Sequence, residues 1–212
     1  MKKNKILIIT SIICLLPIVY GLTVYDKLPD MIPSHFNFSG EVDGYTSKPL
    51  FVFGLPVFLC LLNIICNYTI KYDPKNTNQN KFMMSLPKYI IAFISFFMNM
   101  LVYYKVLYND INISIFIPYF LGIMFIILGN YLPKCRQSYT IGIKLPWTLN
   151  SEVNWNKTHR LAGFIWVLSG IIIIVAKFIV GDNIYPFILF SLIILMVIIP
   201  TIYSFILYRN EL

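Results

Sequence analysis

Only a few side chains in this sequence could do chemistry: two histidines, His35 and His159, and four cysteines, Cys14, Cys60, Cys66 and Cys135. His35 lies near Asp30, Glu41 and Asp43, but the spacing matches neither a zinc motif nor a calcium loop. His159 has no second histidine or cysteine at ligand spacing. Glu152 precedes His159 by seven residues, so a helix could turn both to one side, yet no nucleophile accompanies the pair. Cys60 and Cys66, six apart in an apolar run, read with the other two cysteines as small buried hydrophobes and imply no disulfide framework. The expectation is therefore no catalytic residue, no metal and no cofactor. Recognition, rather than reaction, is the chemistry these residue types suit.

The elements that must position them are membrane spans. The chain has 212 residues, 58% hydrophobic and 12% charged, with a mean hydropathy of +0.73. Soluble domains carry about 25% charged residues, so too little polar surface is present to cover a water-facing core. Extended disorder is excluded by the same balance. The net charge of +8 suggests a nucleic-acid binder only if the basic residues share one soluble face. Here they sit in short segments between apolar runs, and no direct nucleic-acid contact is expected.

Six runs reach the roughly 20 residues a span needs: 6–25, 50–70, 88–108, 113–132, 161–180 and 184–208. The first lacks a small-residue cleavage site and reads as a retained helix. With the N-terminus inside, thirteen cations share one side: Lys2, Lys3, Lys5, Lys71, Lys75, Lys81, Lys88, Lys134, Arg136, Lys144, Lys157, Arg160 and Arg209. Lys27, Lys48, Lys105 and Lys177 lie toward the other, with most of the acidic residues. The positive-inside rule then places both termini in the cytoplasm.

Within the spans, Pro118 and Pro186 fall in expected first turns, and Pro17, Pro56 and Pro200 lie deeper, where they would kink. Asn63, Asn99 and Asn130 read as interhelical glue; lining a common polar path, they would instead indicate a small multi-pass transporter or exporter. Lys105 and Lys177 are placed to snorkel toward headgroups. No carboxylate sits at a span midplane. Tyr72 to Gln79, YDPKNTNQ, reads as a flexible polar loop.

Two connecting segments stand out. Residues 26–49 carry Pro29 and Pro33, then alternation through Ile32, Ser34, Phe36 and Phe38, then turn dipeptides Ser39-Gly40 and Asp43-Gly44, then Tyr45-Thr46-Ser47. This pattern predicts a short β-hairpin capping the bundle. Residues 129–163 carry Lys134, Arg136 and Lys144, then Pro146-Trp147-Thr148, then Asn150 or Ser151 as a helix cap with Glu152 in the first turn. A helix running on from there puts Trp155, His159, Ala162 and Trp166 on one stripe, with Lys157 and Arg160 on another side, free for lipid phosphates or a partner. The simplest alternative is an interfacial anchor of Trp and cations.

Gly129-Asn130-Tyr131-Leu132-Pro133-Lys134, then Ile141 to Leu149 (IGIKLPWTL), then Trp155-x-Lys157-Thr158-His159-Arg160-x-x-Gly163 resemble the signature of SdpI-type immunity proteins. Lys144 and Leu145 stand where that signature usually has Arg and Thr, and Lys cannot make the planar bidentate contact of Arg. Leu28-Pro29-Asp30-x-Ile32-Pro33-x-His35-Phe36-Asn37, with Gly40, Asp43, Gly44, Ser47 and Lys48, resembles the companion domain of unknown function at the N-terminus of such proteins. The resemblance implies a non-enzymatic, all-α, six-helix protein of the bacterial plasma membrane with a small extracytoplasmic cap. It would consist of an N-terminal helical hairpin, 1–70, and a four-helix region, 71–212, with a motif loop at 133–160.

It further implies protection against a secreted antimicrobial peptide toxin and capture of a cytoplasmic winged-helix repressor at the membrane. The cap residues Pro29, Asp30, Pro33, His35, Phe36, Asn37, Gly40, Asp43 and Gly44 would face the toxin. Lys144, Pro146, Trp147, Thr148, Trp155, Lys157, Thr158, His159 and Arg160 would meet the cytoplasmic partner.

Overall fold

The computed structural model describes residues 2–37, 41–75, 79–108 and 113–210. Six helices are long and apolar enough to cross a membrane: α1 (Lys2–Thr23), α2 (Leu55–Lys71), α3 (Lys81–Tyr108), α4 (Ile113–Tyr131), α6 (Glu152–Ile179) and α7 (Tyr185–Asn210), with the short α5 (Pro146–Asn150) between α4 and α6. Their apolar windows have mean hydropathy between 1.8 and 2.5, yet only 22% to 33% of each is buried inside the protein. Side chains such as Phe187 and Ile179 stand open on the surface. Apolar surface on this scale is stable only against lipid tails. The chain is a multi-pass membrane protein.

The chain forms two compact units. The first comprises residues 1–69 and 85–114. Its β-hairpin pairs β1 (Met31–Phe36) with β2 (Val42–Ser47) antiparallel, with Ile32 opposite Thr46 and Pro33 opposite Tyr45. Ile32 is fully buried and joins Leu28, Phe51, Val52, Val102 and Tyr103 in a core that holds the hairpin onto helices of its own unit. Phe38 and the turn residues Ser39 and Gly40 lie outside the described residues.

Several local expectations change. Lys48 and Pro49 open the second span in helical conformation, and a π turn, Leu50–Gly54, leads into α2. Pro56, the second residue of α2, follows directly on that π turn, so helical backbone lies on both sides of it and the change of pitch sits at the proline. α4 begins at Ile113, as the apolar run indicated, and Pro118 is its sixth residue, inside the helix rather than in its first turn. The third span starts at Lys81, which brings Pro87 inside it. Asn63 does join helices, its amide donating to Thr10 Oγ1 at 2.8 Å. Asn99 donates to the carbonyl of Ser95 in its own helix at 2.7 Å, and Asn130 is exposed. Lys177, in the last turn of α6, lies 2.5 Å from Asp182 Oδ1 in the turn that follows, and its side chain is almost fully covered.

The second unit comprises residues 70–84 and 115–212. Helices α6 and α7 pack side by side, joined by Asn154 Nδ2 donating to the Ser204 carbonyl (2.9 Å) and Ser204 Oγ donating to Asn154 Oδ1 (2.6 Å). Helices α4 and α6 meet through glycines. A Cβ on Gly163 would lie 2.6 Å from the Gly129 carbonyl oxygen, and one on Gly170 would lie 2.6 Å from that of Gly122. The pairs are seven residues apart on each antiparallel helix, so two turns of backbone touch where apolar burial gives no drive to associate.

Gly163→Ala forces its methyl against backbone and the Pro133 ring (2.7 Å), neither able to move alone. The expected loss is about 1–3 kcal/mol, read as a lower melting temperature in detergent. Gly181→Ala, with nothing within 4 Å, is expected to leave that temperature unchanged.

Candidate functional site

The site is built on a carboxylate that the sequence pattern assigned to a flexible loop. Asp73 is buried. Its Oδ2 accepts from Ser138 Oγ (2.6 Å), Thr140 Oγ1 (2.8 Å) and the backbone N–H groups of Tyr139 and Thr140 (both 2.9 Å). Its Oδ1 accepts from the N–H of Lys75 (2.9 Å). Burial pushes the carboxyl up, but the Ser138 and Thr140 hydroxyls and the N–H groups of Lys75 and Thr140 outweigh it and hold the group below the ordinary carboxylate range.

Gln79 makes the second tether, donating to the Arg136 carbonyl (3.0 Å) and accepting from the Arg136 N–H (3.1 Å). Lys75 makes the third. Its ammonium donates to Gln137 Oε1 (2.9 Å) and the Leu149 carbonyl (2.7 Å), while Gln137 Nε2 takes the Thr148 carbonyl (2.7 Å). The last carbonyls of the five-residue α5 thus meet a cation and an amide, as a helix C-terminus favours. Residues 72–75 and 79 are fixed structure, not a free loop; burying Asp73 demanded donors, and the 135–141 segment supplies them.

Above these tethers, α6 begins at Ser151, whose hydroxyl accepts the Asn154 N–H (3.1 Å). The helix runs unbroken to Ile179, which puts Trp155 and His159 one turn apart. Both are fully buried and stack with ring centroids 4.0 Å apart. Trp155 Nε1 donates to the Cys135 carbonyl (2.8 Å), pinning the end of the 3₁₀ turn Leu132–Lys134 to α6. His159 Nδ1 donates to the Trp155 carbonyl (2.8 Å), and Nε2 accepts the N–H of Ile143 (2.8 Å). One donor and one acceptor is the hydrogen-bond pattern of the neutral ring.

Gly142 lies across this stack with φ +109°, where a Cβ would sit 2.5 Å from His159 Nε2 and 2.7 Å from the Trp155 ring. Only glycine combines that backbone with that approach. Thr148 closes the loop, its hydroxyl accepting from the Leu145 N–H (2.8 Å) and lying 2.9 Å from the Ile143 carbonyl. Burial pushes the Cys135 thiol up to about 11, so it is not a reactive thiolate.

The expected partner-contacting residues divide into two groups. Thr148, Trp155, Thr158 and His159 are fully buried, with Thr158 Oγ1 donating to Asn154 Oδ1 (3.0 Å). Lys144, Pro146, Lys157 and Arg160 are exposed, and Trp147 is half-buried against Phe205 and Tyr208 of α7. Glu152 is exposed while His159 is enclosed, so the two form no acid–base pair.

In the hairpin, His35 Nδ1 lies 2.5 Å from Asp43 Oδ1, Asn37 and Glu41 bond reciprocally at 2.9 Å, and Lys48 reaches the Leu28 carbonyl (2.8 Å) and Asp30 (3.4 Å). Gly44 lies opposite His35, Phe36 is partly buried on the core, Pro33 is half-buried, and Pro29, Asp30, His35 and Asp43 are exposed. Gly40 lies outside the described residues.

The sequence reading missed Asp73, Gln79, Asn154 and the glycine seam. Glycines at heptad spacing in two apolar runs were the available signal for the seam; nothing local marks a buried aspartate in a polar loop.

Residues 12–60 match a domain of unknown function (DUF1648), and residues 134–204 match the SdpI/YfhL protein family. The chain is 31% identical to "Immunity protein SdpI" of Bacillus subtilis (strain 168) over 210 residues, 99% of this chain and 98% of that one. The chain belongs to the SdpI family. No solved structure matches it. The SdpI match begins at Lys134, so it takes in the motif loop and α5 to α7 but leaves out Asp73 and Gln79, which hold that loop from the other side of the sequence.

Because the Asp73 carboxyl is held low, the stability it contributes is complete above the ordinary carboxylate value of about 4 and drains away as pH falls through its lowered folded value. Asp73→Asn is expected to remove about 2 kcal/mol at neutral pH and flatten the acid limb of melting temperature against pH. An unchanged acid limb would show that Asp73 does not carry it.

Proposed function

We propose that this chain is a non-enzymatic immunity protein of the bacterial plasma membrane, protecting its cell from a secreted antimicrobial peptide toxin. The observation that carries the reading is the 31% identity to an immunity protein over nearly the whole of both chains. Thirteen of seventeen cations on alternate span ends support an orientation with both termini cytoplasmic. In that orientation residues 1–70 present the hairpin outside, where Asp30, His35 and Asp43 are exposed to an arriving peptide.

Residues 71–212 present the motif loop inside. Its buried members shape a platform, and exposed Lys144 and Pro146, beside Trp147, offer the contact for a cytoplasmic winged-helix repressor held at the membrane. Engagement on the two faces would be linked if the toxin favours one arrangement of the helices.

Survival tests the reading. A sensitive bacterium expressing the chain is expected to withstand the peptide toxin, and the His159→Ala form, at equal expression, to lose that protection. No protection from either form contradicts immunity, and equal protection from both removes the motif from the mechanism. A cysteine placed at position 35 is expected to react with an impermeant maleimide in intact cells; reaction only after lysis overturns the orientation.

A further inference from the structure

The cations of the second unit fall into two classes. Lys75 and Lys177 are used by the fold: Lys75 ties Gln137 to Leu149, and Lys177 meets Asp182. Lys157 and Arg160 are exposed on α6 and, among the described residues, form no ion pair. At 1.5 Å per residue the 28 residues of α6 are about 42 Å long, some 12 Å more than the hydrocarbon core. Lys177 and its partner Asp182, in the polar turn after α6, mark one boundary of that core. About 20 residues back along the helix, roughly 30 Å, the other boundary falls at Lys157 to Arg160.

Phe164, one turn deeper than Arg160, is 67% exposed. Lys157, Arg160 and Phe164 follow at i, i+3 and i+7, so two unpaired cations stand at phosphate depth above an aromatic ring at acyl depth on one helix face. Water-facing protein recognition would not need Phe164 below the cations; a phospholipid presents both chemistries in that order.

We propose that this stripe binds an anionic phospholipid, with Arg160 forking onto the phosphodiester, Lys157 adding charge, and Phe164 against the acyl chain. The assignment goes beyond the immunity reading and does not depend on it. It leaves Lys144 and Pro146 to the soluble partner.

The test is native mass spectrometry of the full chain in detergent, titrated with phosphatidylglycerol or with phosphatidylcholine of the same acyl chains. The wild-type chain is expected to retain phosphatidylglycerol preferentially, and Lys157→Gln and Arg160→Gln each to weaken it about fivefold. Arg160→Lys is expected to lose part of the preference by losing the fork, and Arg209→Gln, at the end of α7, to lose none. Melting temperatures identify any variant that is misfolded, in which case the milder Arg160→Lys carries the comparison. Equal retention of the two lipids, or variants that keep wild-type affinity for phosphatidylglycerol, overturns the proposal. Variants that keep the lipid but lose binding to a poly-glutamate peptide would assign the stripe to an acidic protein segment instead, and overturn it equally.

Discussion

A carboxylate taken out of water must be met by donors, and Asp73 receives five, four of them on one oxygen and from three consecutive residues, Ser138 to Thr140. Three consecutive residues turn their N–H and hydroxyl groups onto this one oxygen, so the carboxylate fixes the path of the irregular 138–140 stretch. On either side of these residues it is held by Trp155 on the Cys135 carbonyl and by His159 on the Ile143 amide, both from α6. The loop is therefore suspended between a short polar stretch before α3 and the first turns of α6. Losing either support leaves buried polar groups unpaired, a heavier penalty than the bonds themselves are worth.

The strongest motif residues act mainly by building. Thr148, Trp155, Thr158 and His159 are enclosed and Gly142 lies half-buried against them, and their identities follow from packing: a positive φ over an aromatic stack, a hydroxyl bridging a turn, an indole reaching a carbonyl. What they present is a small surface of Lys144, Pro146 and the outer side of α6. A family signature concentrated in buried residues is what a rigid platform requires, since a loop of this length would otherwise sample many conformations and dilute any binding face.

Much of this was legible in the sequence. The six spans follow from apolar run length, the hairpin from alternation between turn dipeptides, and the continuous α6 from a capping serine followed by a four-residue aromatic spacing. The buried Asp73 was not legible, because Asp, Pro, Lys and Asn score as a solvated turn whatever lies beside them; four of its donors lie more than sixty residues away. Pro87 was passed over because helix ends, unlike hydrophobic centres, are set by neighbours; α4 starts where expected, and Pro118 simply lies one turn further in than a first-turn proline. Trp155 and His159 were correctly set on one stripe, but a stripe does not say whether it faces a partner or the protein's own interior.

The central claim is that Asp73 holds the motif loop in one conformation. Hydrogen–deuterium exchange on the purified chain tests it most directly, read at the amides of Tyr139, Thr140 and Ile143 in the wild type and in Asp73→Ala. The account predicts slow exchange at all three in the wild type, fast exchange at Tyr139 and Thr140 in the variant, and a smaller rise at Ile143, which keeps its bond to His159. Fast exchange at Tyr139 and Thr140 in the wild type, or protection there that survives loss of the carboxylate, would contradict it.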